Sequence, residues 1–172
     1  IVVGAADTAC VPTMTTLPEL DFEGQLYLTG ACAAPEILAQ VPDDVQARVI
    51  FNSEGGADQD TESSLFDAAI ERYATEPAGG AGTVTFRSTM NLWDLLTSLD
   101  TIDAASVAEA LATSVDEPSF WGHPYTCAEE QVAGMPSLCA PQQQLLRFLD
   151  DGDDPPEDAS GGWIDVSTLL AS

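Results

Sequence analysis

The chain has 172 residues, 45% of them apolar, and a mean hydropathy near zero, which excludes global disorder. Its 29 Asp and Glu stand against four Arg and no Lys, a formal net charge of −25. That balance excludes nucleic acid and anionic membrane surfaces as partners, because both are recognised through Lys and Arg. A solvated acidic surface that keeps an exported protein soluble is preferred over a funnel for cationic ligands. No apolar run reaches the length of a membrane span. No basic start leads into an apolar stretch, and the opening inside a strand reads as the remainder of a longer precursor.

Ile1-Val2-Val3-Gly4-Ala5-Ala6-Asp7 is a short apolar run ending on small residues and a carboxylate. Gln25 to Ala31 and Arg48 to Glu54 are two more runs of the same kind. Cys10 to Leu20 and Pro35 to Leu38 lie between them as helical crossovers. Apolar strands alternating with helices predict an α/β fold with a parallel sheet covered on both faces. Ligands of such sheets bind beyond the carboxyl ends of the strands. Asp7, Thr8, Ala31, Cys32 and Asn52 fall on that rim. A carboxylate there serves equally well as a ligand contact or as the N-cap of a helix over Thr8 to Met14, and both readings stay open for Asp7.

Past a polar break over Gly55 to Thr61, the residues Leu65, Phe66, Ala69, Ile70 and Tyr73 repeat at helical spacing. Asp60, Thr61 or Ser63 can cap that helix. After a Pro/Gly loop from Glu76 to Gly82, Leu92, Trp93, Leu95, Leu96 and Leu99 give a second apolar helix face, with Trp93 expected in the core. Asp103 caps a third helix through Val107, Ala108 and Leu111. Trp121-Gly122-His123-Pro124-Tyr125 is an aromatic loop; Trp121 and Tyr125 are either a lid over a cleft or packed on a neighbouring disulfide. Gln142 to Leu149 reads as a strand ending in an Asp151-Gly152 turn, with a helix as the competing reading. Asp150 to Gly162 is an acidic Pro/Gly loop, and Trp163 to Val166 docks the terminus.

The four cysteines suggest two bridges. Cys10 and Cys32 follow neighbouring strands, and a strand spacing of about 5 Å suits a disulfide. Cys127 and Cys139 flank a short loop containing Gly134 and Pro136. Local pairing points to an oxidising compartment, with free buried thiols as the alternative. Neither pair has zinc spacing, and His123 is the sole histidine, so no metal is expected. Asp150-Asp151-Gly152-Asp153-Asp154 has its glycine misplaced for a calcium loop. No nucleophile elbow, phosphate loop or dinucleotide fingerprint is present, so neither catalysis nor a cofactor is expected.

The strand ending Val3 to Asp7, the turn Leu28-Thr29-Gly30-Ala31-Cys32-Ala33-Ala34-Pro35-Glu36, the run Arg48 to Ser53, the segment Thr89 to Leu96 and Asp103 to Val107 together resemble type I periplasmic solute-binding proteins of the branched-chain amino acid and amide importers. The likeness covers nearly the whole chain and matches the C-terminal half of such proteins; the paired cysteines resemble those of actinobacterial members. It implies a two-lobed α/β fold, incomplete at its N-terminus. Residues 1–54 would belong to the second lobe, residues 55–118 would return to the first, and residues 119–172 would cross back. It further implies a small polar ligand in the interlobe cleft, held by Asp7, Thr8, Ala31 and Asn91. The remaining partners it implies are a membrane permease of an ABC importer and the missing N-terminal part of the same protein. The site would be extracytoplasmic: periplasmic, or at the cell surface on a lipid anchor. Ala31 stands where amino-acid binders of this family commonly offer a carboxylate to the ligand's ammonium; either Asp7 substitutes, or the ligand is not an ordinary amino acid. A receptor ectodomain of the same fold, and a hydrolase on a similar frame, are the alternatives.

Overall fold

A computed structural model describes residues 2–4, 7–55, 61–75, 82–149 and 156–170. The chain opens with strand β1 (Val2–Val3), helix α1 (Asp7–Glu19), strand β2 (Leu26–Leu28), a 3-10 turn (Gly30–Ala33), short helices α2 (Pro35–Leu38) and α3 (Asp43–Gln46), and strand β3 (Val49–Ser53). Pro35 occupies the first turn of α2, where a missing N–H costs nothing. Three longer helices follow: α4 (Thr61–Tyr73), α5 (Gly82–Ser98) and α6 (Ala104–Thr113). As expected, Asp103 caps α6, its side chain accepting the Ser106 N–H at 2.8 Å. The chain closes with β4 (Gln142–Arg147), β5 (Glu157–Asp158), β6 (Ile164–Asp165) and α7 (Ser167–Leu170).

The α/β architecture expected from the sequence is the one observed, on a mixed sheet ordered β1-β2-β3-β4-β5, with β6 also pairing β4. β1, β2 and β3 are parallel; β4 runs antiparallel to β3, with Phe51 opposite Leu146 and Asn52 opposite Leu145. The Gln142 to Leu149 segment is thus a strand, and the helical alternative falls. The Asp151-Gly152 turn and the Asp60 cap lie outside the described residues.

Side-chain alternation divides the sheet into two unequal faces. Leu26, Leu28, Val49, Phe51 and Leu146 point to one side and form a single core with Cys10 and Met14 of α1, Ile37 and Leu38 of α2, and Val45 of α3. All three helices therefore lie on the same face and pack on one another, as expected when strands β1 to β3 are laid down in sequential order with right-handed crossovers. On the opposite side of the sheet Tyr27, between buried Leu26 and Leu28, is 37% exposed, while its cross-strand neighbour Ile50 is buried.

The helices α4, α5 and α6 form a second group, none with a fully buried apolar face. Leu65, Tyr73, Val84, Leu92 and Leu111 are all exposed. Trp93, expected in the core, is 61% exposed. Its apolar neighbours at helical spacing define a face, but the described chain supplies no sheet beneath it. A second difference lies in the stretch read as a continuous loop from Asp150 to Gly162, which contains β5.

Candidate functional site

The rim at the carboxyl ends of β1 to β3 is built from two strand-to-helix junctions held together covalently. Cys10 in the first turns of α1 is bonded to Cys32 in the 3-10 turn, with the Cα atoms 5.3 Å apart and both residues fully buried. Close approach of the second junction to β3 needs Gly30: a Cβ there would stand 2.5 Å from the backbone oxygen of Asn52. Thr8 is exposed in the first turn of α1, and Ala31 is half-buried in the turn. Thr29 places its hydroxyl 3.7 Å from the Cys32 sulfur. Asn52 donates from its amide to the side-chain oxygen of Gln143 on β4 at 3.0 Å. Asp7 begins α1, and its side chain lies outside the described residues. The rim thus presents hydroxyl, amide and backbone groups, suited to holding a polar ligand by hydrogen bonds.

Asn91 sits elsewhere, on α5, with its amide committed to the chain segment that leads back toward the sheet. It donates to the Ser119 hydroxyl at 3.1 Å and accepts the Phe120 N–H at 2.6 Å. That segment runs antiparallel to the stretch leaving β3, bridging Gly55 to Gly122, and pairs Glu117 with Tyr125. Two further side chains fasten this crossover to the helices. Arg87 of α5 donates to the backbone oxygen of Glu54 at 2.7 Å and to that of Phe120 at 3.3 Å. Glu62 of α4 accepts the Trp121 N–H. Burial lowers the Arg87 pKa, and the Glu54 carboxylate opposes that. A Cβ at Gly122 would fall on the Arg87 guanidinium and displace it from the clasp.

Trp121 packs on the helices. Trp121 joins a cluster in which Phe66 and Phe86 lie 5.4 Å apart, Phe86 and Phe120 5.7 Å, and Phe66 and Trp121 6.3 Å. The loop is thereby anchored on α4 and α5. Trp121 has φ 46°, and its buried indole N–H has no hydrogen-bond partner among the described residues. Tyr125 is pinned by two backbone hydrogen bonds to Glu117 at 2.9 Å; burial raises its pKa, helped by Glu117 and Asp94.

Sequence reasoning misses Arg87 and Glu62. Their partners lie 33 and 59 residues away, beyond any local pattern. One signal exists: Arg87 is one of four cations in a chain of 29 carboxylates, and it sits in an otherwise uncharged run of α5.

Beyond the crossover, Cys127 and Cys139 are also bonded, with Cα atoms 4.6 Å apart. Among the described residues no three His, Cys, Asp or Glu converge as a metal site, and no helix is long and apolar enough to cross a membrane.

No protein-family model and no curated protein matches the chain. Solved structures do. The leucine-binding protein LivK of Thermotoga maritima matches 98% of this chain and 45% of its own, with a TM-score of 0.65 at 14% identity. LivJ, a branched-chain amino acid transporter substrate-binding protein of Streptococcus pneumoniae solved with isoleucine, matches 92% of this chain and 44% of its own, with a TM-score of 0.61 at 11% identity. A fatty acid ABC transporter substrate-binding protein of Thermomonospora curvata matches 93% and 43%, with a TM-score of 0.63 at 8% identity. The chain therefore has the type I periplasmic-binding-protein fold and spans about 45% of the length of these structures.

Proposed function

We propose that this chain is part of the solute-binding component of an ATP-driven importer and works outside the cytoplasmic membrane. The observation that supports the reading is the match of 98% of the chain to a substrate-binding fold, with the candidate rim at the carboxyl ends of the strands. Residues 1–54 form part of one lobe, residues 55–118 return to the other, and residues 119–172 cross back. The protein captures its ligand and does no chemistry on it. Two lobes close on a small polar solute, and the closed form docks on a membrane permease. Thr8 contributes a hydroxyl and Ala31 a backbone N–H, with Asp7 available for a ligand cation. Asn91, on α5, acts by holding the crossover at Ser119 and Phe120 in place. No side-chain carboxylate at Ala31 faces a ligand ammonium, so either Asp7 substitutes or the ligand is not an ordinary amino acid.

The test is a set of thermal melts of the full-length protein with amino acids, amides, short polyamines and short fatty acids. A ligand at about 100 times its dissociation constant adds about 2.7 kcal/mol. In a protein more than twice this length that raises the melting temperature by roughly 3–5 °C. A melt moved by one ligand class supports the reading; a melt unmoved by every class contradicts it.

A further inference from the structure

The rim carries a pair of side-chain amides beside the turn that holds Ala31. Gly30 lets that turn come so close to β3 that a Cβ on it would stand 2.5 Å from the Asn52 backbone oxygen. Asn52 therefore adjoins the turn. β4 runs antiparallel to β3, so its first residues lie at the same carboxyl edge. Gln143 is the diagonal neighbour of Asn52 on one side of the sheet, and its Oε1 accepts the Asn52 amide at 3.0 Å. The pair stands on an apolar floor of Ile50, 7% exposed, and Leu145, half-buried.

That one bond fixes both side chains and leaves most of their capacity unused. Both are half-buried, and among the described residues neither amide has a further hydrogen-bond partner. The remaining N–H bonds of both amides and the Asn52 Oδ1 oxygen form an edge richer in donors than in acceptors. Such an edge suits a ligand that presents oxygen. It gives an ammonium one neutral acceptor and no counter-charge, so a desolvated cation goes uncompensated. A carboxylate matches the donors but meets the field of a chain with a net charge of −25. We propose, building on the importer reading, that Asn52 and Gln143 determine specificity at the rim. They select an uncharged solute with a carbonyl oxygen, carboxamide- or urea-like, over its ammonium and carboxylate counterparts. On an apolar floor each hydrogen bond from the pair counts for more than in water, and that gives a neutral edge its discrimination.

The experiment titrates butyramide, butylammonium and butyrate, which share one chain and differ in the polar group, into the full-length protein. Dissociation constants come from the rise in melting temperature with concentration. Butyramide is expected to bind more tightly than either counterpart by about tenfold, the scale of one hydrogen bond. Gln143→Glu keeps an acceptor for the Asn52 amide and replaces the Gln143 N–H bonds by a negative charge. In that variant butyramide should weaken by about tenfold and butylammonium should strengthen. The preference is a ratio within one protein, so a change in the variant's own stability does not enter it. An order of preference that Gln143→Glu leaves unchanged overturns the proposal. So does tighter binding of butylammonium or butyrate by the unaltered protein, or no response to any of the three. These failures leave the importer reading standing where another solute of the wider panel raises the melt; a melt that nothing raises removes both.

Discussion

Arg87 meets Glu54 at both its backbone and its side chain. Nη2 donates to the Glu54 carbonyl at 2.7 Å, while Nη1 lies 3.9 Å from the carboxylate. The two contacts are unequal, because the Arg87 side chain is 14% exposed and that of Glu54 55%. Arg87→Met leaves the Glu54 and Phe120 carbonyls without their donor and is expected to cost about 2–3 kcal/mol. Glu54→Gln removes an exposed charge at the edge of contact and should cost less than about 0.5 kcal/mol. Urea unfolding of both variants checks the ranking; equal effects would mean the ion pair, and not the carbonyl clasp, holds the crossover.

The two disulfides close loops of different length, with separations of 22 and 12 residues. Loop-closure entropy assigns each about 3 kcal/mol, slightly more to the longer loop. Replacing Cys10 by Ser also puts a hydroxyl into a fully buried site, so it should destabilise more than Cys127→Ser. Denaturation midpoints give the comparison. Titration of free thiols in native, non-reduced protein should find none.

Asp158 organises the turn after β5. Its carboxylate accepts the Ser160 N–H at 2.8 Å, the Ser160 hydroxyl at 2.5 Å, the Gly161 N–H at 3.1 Å and the Gly162 N–H at 2.5 Å. Burial pushes this carboxyl up, but the hydrogen bonds from Ser160, Gly162 and Gly161 outweigh it and hold the pKa below the ordinary value. The folded pKa thus lies below the unfolded value of about 3.9. The carboxylate's stabilisation is complete above that value and is lost as pH falls through the folded pKa. Asp158→Ala should loosen the turn by about 1 kcal/mol, as the loss of a helix cap does. Hydrogen exchange at the Gly161 and Gly162 amides checks it. Unchanged exchange would show that the glycines hold the turn unaided.

Self-repulsion sets the other electrostatic expectation. With a net charge of −25, the chain should melt higher as sodium chloride rises from low to moderate concentration at neutral pH. A melting temperature that stays flat or falls with salt would place the carboxylates too far apart to matter.

The strands β1 to β3 are legible because each is a run of apolar residues bounded by turn residues, and the Asp103 cap because its signal is three residues long; β4, with three Gln before Leu145 and Leu146, shows no such run. What fails to show is relational. β5 is Glu157–Asp158, two acidic residues with no alternation to detect. Trp93 carries a core signature whose burial depends on an element the described chain does not supply. That α1, α2 and α3 share one face follows from the order in which β1, β2 and β3 sit side by side, which no window of sequence contains. The clasp of Arg87, Asn91 and Glu62 on the crossover joins residues 28 to 59 positions apart. At the rim, strand ends alone bring Thr8, Ala31 and Asn52 to one sheet edge, but the partnership of Asn52 with Gln143 spans 91 positions and is invisible to any local pattern.

The Cys10–Cys32 bond fastens the two strand-to-helix junctions to each other. Their ordering is then complete once the bond has formed and persists as long as it does. Reduction would free the two junctions to move separately, tying the order of this sheet edge to the redox state of the surroundings.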